Sequence, residues 1–140
     1  MRRRGPMLTW ELGDPRFARA PLPAIPRDYH EVIALSPDGQ SVATGTRGGE
    51  IVISARGGPF VPAAHRPDGA IELLAFSPDG SVLASASERL VLLTDAASGA
   101  PLGEIALTAD RATLLWWSAD GARLVIDTAR GFQVTIAVQR

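Results

Sequence analysis

Residues 75–87 read Ala-Phe-Ser-Pro-Asp-Gly-Ser-Val-Leu-Ala-Ser-Ala-Ser, two apolar runs joined by the tetrapeptide Ser77-Pro78-Asp79-Gly80. Proline presets φ for the first central position of a turn, aspartate caps the backbone, and glycine accepts the left-handed conformation that closes a hairpin. Apolar runs of five to seven residues that contain Val, Leu and aromatic side chains are typical of strands. The stretch therefore predicts a β-hairpin.

The same tetrapeptide marks an internal repeat. It occurs at Ser36–Gly39, at Ser77–Gly80 and, with alanine in place of proline, at Ser118–Gly121, with a spacing of 41 residues each time. The flanking positions agree without gaps: Ile33, Leu74 and Leu115; Leu35, Phe76 and Trp117; Val42, Leu83 and Leu124; Ala43, Ala84 and Val125. One such turn is common, but three at one period with matched flanks indicate a repeat architecture.

Each repeat predicts further strands. A third apolar run follows the hairpin at 50–55, 90–96 and 132–138, and a fourth follows in two repeats, at 60–64 and 102–108. No segment of ten or more residues has helical periodicity. Four short strands in a period of about 40 residues are typical of β-propeller blades. The expected fold class is all-β, with about three four-stranded antiparallel blades in an incomplete ring.

Specific motifs give this repeat a family resemblance. Residues 75–87 resemble the first hairpin of a WD repeat, and residues 90–99, Leu-Val-Leu-Leu-Thr-Asp-Ala-Ala-Ser-Gly, resemble its third strand and exit loop. Residues 8–15, Leu-Thr-Trp-Glu-Leu-Gly-Asp-Pro, resemble the same strand end. The resemblance covers residues 7–140 and is to degenerate repeats of bacterial type. It implies a non-catalytic scaffold for protein–protein interaction.

The chain departs from the family at its signature residues. The Trp-Asp pair survives only as Trp10-Glu11 and Thr94-Asp95, and it is lost at 54–55 and 136–137. The Gly-His pair is missing, with His65 as its one candidate relic. The His–Ser–Trp–Asp hydrogen-bond network that the resemblance implies is therefore expected to be incomplete. Apolar packing between blades is expected to carry more of the stability.

The repeat phase predicts the domain organisation. Residues 1–16 form an N-terminal segment that includes the strand end of a preceding blade, and residues 17–140 hold the three repeats. Blade one covers about 31–65, blade two about 71–108 and blade three about 112–138. Blade three ends without an outer strand, and residues 17–25, whose prolines suit a sheet edge, are a candidate for that strand.

Three blades do not close a ring, because propellers have about four to eight. Unpaired terminal blades are expected to expose wide apolar faces and a free edge. Three explanations stay open: a piece of a longer propeller, a homodimer that forms a six-bladed ring, or completion of a partner's partial propeller. The expected partners are therefore a protein or a second copy that completes the propeller.

Composition excludes several classes of function. The chain is 46% hydrophobic and 21% charged with a formal net charge of −1, which is typical of a globular protein without affinity for nucleic acid. Cysteine is absent, so disulfides and thiolate metal sites are excluded. No apolar run approaches the roughly 18 residues of a membrane span, and the basic N-terminus has no apolar stretch typical of a signal peptide. A cytoplasmic protein that does not act on membranes is expected.

No catalytic motif occurs in the sequence. It has no Gly-x-Ser-x-Gly, no His-Glu-x-x-His and, since all fourteen basic residues are arginine, no phosphate-binding Gly-Lys loop. His30 and His65 lie on different repeats without metal-ligand spacing. The expectation is no enzyme activity, no cofactor and no metal. Trp116 and Trp117 are expected to pack in the core or channel, with an assembly interface or a binding site as alternatives.

Arginines recur in loops that blade geometry places at one face. Arg47, Arg89 and Arg130 lie between second and third strands, whereas Arg27, Arg66 and Arg111 lie between blades. The opposite rim receives five aspartates: Asp14, Asp38, Asp79, Asp95 and Asp120. A rim rich in arginine is suited to an acidic protein partner. Four acidic residues interspersed among the arginines reduce that charge, and plain solvated loops are the alternative: Asp28, Asp68, Glu88 and Asp110.

The expected function is therefore a protein-interaction scaffold that binds through its loop face or channel mouth. An accessory propeller of an enzyme or transport complex is the alternative, because residues 114–126 are also similar to propellers of the TolB and prolyl-oligopeptidase kind. A purely structural module without a partner is the third possibility. Fold alone does not decide among them.

Overall fold

β-Strands are the only regular elements in the residues that the structure describes. The structure is a computed structural model that describes residues 8–10, 19–21, 30–55, 60–63, 69–107 and 110–138, with backbone only at 8–10, 19–21 and 30–31. The strands are β1 Leu8–Trp10, β2 Arg19–Pro21, β3 His30–Leu35, β4 Ser41–Thr46, β5 Ile51–Ala55, β6 Phe60–Pro62, β7 Leu73–Phe76, β8 Val82–Ala86, β9 Leu90–Asp95, β10 Pro101–Ala106, β11 Ala112–Trp117, β12 Arg123–Thr128 and β13 Gln133–Ala137.

Three antiparallel sheets are each built from strands that follow one another in sequence. Their orders are β3-β4-β5-β6, β7-β8-β9-β10 and β11-β12-β13, which we call blades one, two and three. Each blade contains one copy of the repeated tetrapeptide, in the turn between its first two strands. The expected all-β fold class is confirmed. In the described part of the chain, β13 pairs with β12 alone.

A fourth sheet lies near the N-terminus and consists of β1 and β2. The two strands are antiparallel, with Leu8 opposite Pro21 and Trp10 opposite Arg19. β2 lies inside residues 17–25, the candidate outer strand of blade three, but in the structure its partner is β1. A role of residues 17–25 in completing blade three stays a prediction.

The repeated tetrapeptide closes each first hairpin with the same set of hydrogen bonds. In blade two, the buried Ser77 hydroxyl donates to Asp79 at 2.7 Å and accepts from the Val82 N–H at 3.0 Å. Asp79 also accepts from the Ser81 N–H at 3.0 Å, and Gly80 adopts φ of +74°. These bonds confirm the capping role of the aspartate. They add a role for the serine, whose hydroxyl links the turn to the second strand.

Apolar cores lie between neighbouring blades. Side chains of blades one and two share one core: Ala43, Ile51, Ile53, Ala63, Ile71, Phe76 and Leu83. Side chains of blades two and three share the other: Val82, Ala84, Ala86, Val91, Leu93, Leu107, Ala112, Leu115, Leu124 and Ile126. Each blade thus buries its apolar surface against a neighbour, as in other repeat proteins. We call the side of a blade that faces the next blade in sequence its forward face, and the other side its rear face.

Two buried hydroxyls of blade two bear on the hydrogen-bond network that the resemblance to WD repeats implies. Ser85 and Thr94 are 2% and 1% exposed, and their hydroxyl oxygens have no hydrogen-bond partner in the structure. Thr94 stands where the WD family has tryptophan. The two residues are diagonal neighbours on β8 and β9, because Ser85 pairs with Leu92 and Leu83 with Thr94. Diagonal Cα atoms are about 7–8 Å apart, too far for two short hydroxyl side chains to meet.

We expect Thr94→Val to stabilise the chain by about 1 kcal/mol, because it removes a buried hydroxyl without a partner and keeps the β-branched shape. The matched control is Thr46→Val. The Thr46 hydroxyl accepts from the Glu50 N–H at 3.1 Å, so its loss should destabilise by about 1 kcal/mol. Urea unfolding followed by circular dichroism measures both. A Thr94→Val variant that is destabilised as much as the control would contradict the interpretation.

Candidate functional site

A cleft of about 700 Å³ opens at the loop face between blades two and three. Its walls come from the loop between β8 and β9, the end of β10, the connection into β11 and the loop between β12 and β13. The charged side chains of the walls are Glu88, Arg89, Asp110, Arg111 and Arg130. Loops from two adjacent blades thus bring together three of the six arginines that the sequence places at this face.

Main-chain hydrogen bonds fix the positions of these loops. The Arg89 carbonyl accepts from the Leu107 N–H at 2.8 Å, and the Arg111 carbonyl accepts from the Ala129 N–H at 3.0 Å. Leu107 is buried in the core between blades two and three, so its backbone is anchored. Hydrogen bonds thus hold the backbones of Arg89 and Arg111, whereas the side chains of all three arginines are exposed.

Asp110 organises one wall of the cleft. Its carboxylate accepts from the Arg111 N–H at 2.9 Å and from the Arg130 N–H at 3.4 Å. The Thr128 hydroxyl, these backbone groups and the charge of Arg130 hold the pKa of Asp110 below its ordinary value. Asp110 is thus ionised at neutral pH. It ties the connection before β11 to the loop before β13.

The charge balance of the cleft favours an anionic ligand. Three guanidinium groups and two carboxylates line the cleft. One of the two carboxylates, that of Asp110, accepts hydrogen bonds from the backbone of the cleft wall. No salt bridge of Arg89 or Arg111 occurs within the described part of the chain. Guanidinium groups bind carboxylates through paired N–H donors. The arrangement suits the recognition of an acidic segment of a protein.

The other predicted arginines are not at this cleft. Arg47 is exposed in the loop between β4 and β5 of blade one and does not line the cleft. Arg27 and Arg66 lie outside the described residues, as does His65; for His30 the structure describes the backbone only. Sequence reasoning placed the loops on one face by their period. It had no signal for which loops are adjacent across a blade boundary.

The aspartates of the opposite rim act within their own turns. The Ser36 hydroxyl and the Gln40 N–H hold the pKa of Asp38 below its ordinary value. The Ser118 hydroxyl and the Ala122 N–H do the same for Asp120, with a contribution from the charge of Arg123.

In the described part of the chain, no three His, Cys, Asp or Glu side chains are grouped as ligands for a metal ion. No helix there could span a membrane.

Comparisons with known proteins give a fold. No family model matches the chain, and no curated protein matches it. Solved structures do match: Hsv2 of Kluyveromyces lactis, with a TM-score of 0.72 at 14% identity over 94% of this chain, and Hsv2 of Kluyveromyces marxianus, with a TM-score of 0.69 at 15% identity over 94%. A chain of the mitotic checkpoint complex matches 76% of this chain with a TM-score of 0.64 at 17% identity.

The chain has the β-propeller fold. It spans 43% and 41% of the two Hsv2 chains and 36% of the chain from the mitotic checkpoint complex. The likeness is therefore to part of a propeller, in keeping with the WD-repeat motifs of the sequence. At these identities it concerns the fold alone.

The two adjacent tryptophans lie on opposite faces of the third propeller blade. Trp117 is half-buried against the core between blades two and three, and its indole N–H donates to the Ala75 carbonyl at 3.2 Å. Trp116 is 44% exposed on the forward face. The expected core packing holds for Trp117. Trp116 lies on the face that packs against the next blade in blades one and two, and in the described part of the chain no blade covers that face of blade three, so the assembly interface stays a prediction for Trp116.

Proposed function

We propose that the chain is a non-catalytic, WD-repeat-type scaffold segment that binds an acidic segment of a partner protein in the cleft between blades two and three. The convergence of Arg89, Arg111 and Arg130 on one cleft carries this proposal. Propellers present loops from several blades on one rigid face, which suits them to partner binding. A bacterial source and a cytoplasmic location, which the sequence favours, stay predictions.

The cleft supports binding better than chemistry. Arginine stays protonated in proteins and so does not serve as a general acid or base. Asp110 is held ionised by hydrogen bonds from its own loops, and its pKa lies below its ordinary value rather than near neutrality, where a general base works best. The remaining carboxylate, Glu88, is exposed. These side chains are therefore assigned to charge recognition.

The test is titration of the chain into a fluorescein-labelled peptide of eight glutamates, followed by fluorescence anisotropy. We expect Arg111→Glu to raise the Kd about tenfold, since a charge-assisted contact of about 1.4 kcal/mol is lost. Binding should weaken as salt rises, because exposed charges are screened.

The matched control is Arg47→Glu, which makes the same charge change at an exposed arginine of blade one, in the loop between β4 and β5. We expect its Kd to lie within about twofold of the parent value, because it does not line the cleft. An octaglutamine peptide should not bind. Equal weakening by both variants would indicate a general charge effect, and absence of binding to octaglutamate would contradict the proposal.

A further inference from the structure

The forward face of blade three differs from those of blades one and two. At its centre, three side chains lie opposite one another on the first, second and third strands. These rows are Ala34, Ala43 and Ile53 in blade one, Ala75, Ala84 and Leu93 in blade two, and Trp116, Val125 and Thr135 in blade three. The adjacent rows are Val32, Gly45 and Ile51; Leu73, Ala86 and Val91; and Leu114, Asp127 and Gln133.

The inner part of this face carries larger side chains than the forward faces of blades one and two. Ala43 and Ala84 are fully buried, since in blades one and two small side chains let the next blade come close. Blade three has Trp116 and Val125 at the corresponding positions. An indole in place of a methyl group would hold a following blade away from β11, because packed interiors do not absorb that volume.

The outer part of the same face is polar. Blades one and two carry Ile or Val and Ile or Leu on their third strands, but blade three carries Gln133 and Thr135, both exposed. The Gln133 amide donates to the Asp127 carboxylate at 2.9 Å. A dry interface with another blade would bury these polar groups at a cost. The expectation of a wide apolar face is thus only partly met, by Leu114 and Trp116 on the inner strand.

On this face, one positive and one negative side chain lie on β12 at equal distances from Val125. Arg123 and Asp127 lie on β12, two residues on either side of Val125, and alternation turns all three to the forward face. A second copy can be related to the first by a two-fold axis that lies in the plane of the face and crosses β12 at Val125. This rotation brings Arg123 of one copy opposite Asp127 of the other. The same axis places the Trp116 side chains of the two copies opposite each other.

We propose that two copies of this chain pack face to face through the forward faces of blade three, with Arg123 of each copy opposite Asp127 of the other. Such an interface is isologous, so it closes at a dimer. Trp116 supplies its apolar centre, and the two ion pairs set its register. This dimer differs from a six-bladed ring, since it does not use the N-terminal strands and leaves the arginine cleft open to a partner.

Analytical ultracentrifugation of the full chain tests the proposal. We expect a species of twice 14.8 kDa that dissociates on dilution. Arg123→Asp and Asp127→Arg should each raise the dimer dissociation constant at least tenfold, because each variant places like charges opposite one another twice. The double variant R123D/D127R should return the constant to within about threefold of the parent value, since the pairs are re-formed with reversed sign.

Circular dichroism shows that each variant is folded before its mass is compared. Trp116→Ala gives a second measurement, and it should weaken the dimer at least tenfold without a change of net charge. A parent chain that stays monomeric at all concentrations would overturn the proposal. A dimer that the single charge variants leave intact would also overturn it and would point to the N-terminal strands or another surface. A double variant that dimerises as weakly as the single variants would overturn it as well.

Discussion

Gly99→Ala is expected to destabilise the chain by about 3 kcal/mol. Gly99 lies in the turn between β9 and β10 with φ of +75°, a left-handed conformation that disfavours an alanine by roughly 1 kcal/mol. An added Cβ would also collide with the Pro62 carbonyl oxygen and lie 3.1 Å from the Val61 side chain. The colliding atom is backbone of β6 in blade one, so relief needs a shift between blades, worth about 2 kcal/mol more.

The control for this variant is Gly39→Ala. Gly39 has φ of +71°, but nothing lies within 4 Å of an added Cβ, so only the conformational penalty of about 1 kcal/mol applies. Urea unfolding followed by circular dichroism gives both free energies. The difference of about 2 kcal/mol measures how tightly the turn of blade two presses on the outer strand of blade one. Equal losses of free energy for the two variants would contradict the prediction, because they would show that the turn after β9 and strand β6 move apart without cost.

The first hairpins were predictable because their information is local. In residues 77–80, the turn conformation follows from proline and glycine, and the adjoining strands follow from short β-prone runs on each side. The same turn at a period of 41 residues then indicates the propeller without knowledge of any contact. The one local feature missed was the serine hydroxyl. The serine donates to the aspartate in all three turns, including the one that has alanine in place of proline.

The faces of blade three were harder to predict. Residues 114–117 read Leu-Leu-Trp-Trp, so apolar side chains occupy both faces of β11 and no alternation shows which face is inside. Register against β12 decides it: Trp116 lies opposite Val125, and Trp117 lies opposite Leu124, which is fully buried. The polar residues of β13 held the missing signal, since Gln133 and Thr135 replace apolar residues of the earlier repeats.

The candidate site was predictable in part. The period placed arginine-bearing loops on one face, but the cleft depends on which loops become neighbours when blades stack. Arg89 and Arg130 belong to equivalent loops of adjacent blades, and Arg111 lies in the connection between them. Asp110 was expected only to reduce the positive charge. Its bonds to two backbone N–H groups show that it also holds the wall of the cleft, which charge counting does not reveal.

Trp117→Ala is expected to destabilise the chain by about 3 kcal/mol, near the lower end for a truncated tryptophan because the side chain is only half-buried. The variant loses apolar contact with the core between blades two and three and the 3.2 Å hydrogen bond to Ala75. Trp117→Phe keeps most of the apolar contact and loses the hydrogen bond, so we expect a loss of about 1 kcal/mol. The difference between these two variants separates packing from hydrogen bonding.

The adjacent Trp116 provides the matched control for this prediction. It is 44% exposed on the forward face, so Trp116→Ala should change the unfolding free energy of the monomer by less than about 1 kcal/mol. Unfolding is measured at a concentration where the chain is monomeric, which removes any contribution from assembly. Hydrogen exchange then locates the effect: in a repeat protein each unit is stabilised by its neighbours. Trp117→Ala should therefore reduce protection in β11, β12 and β13 more than in β4 and β5. Uniform loss of protection would instead show that the three blades unfold as one cooperative unit.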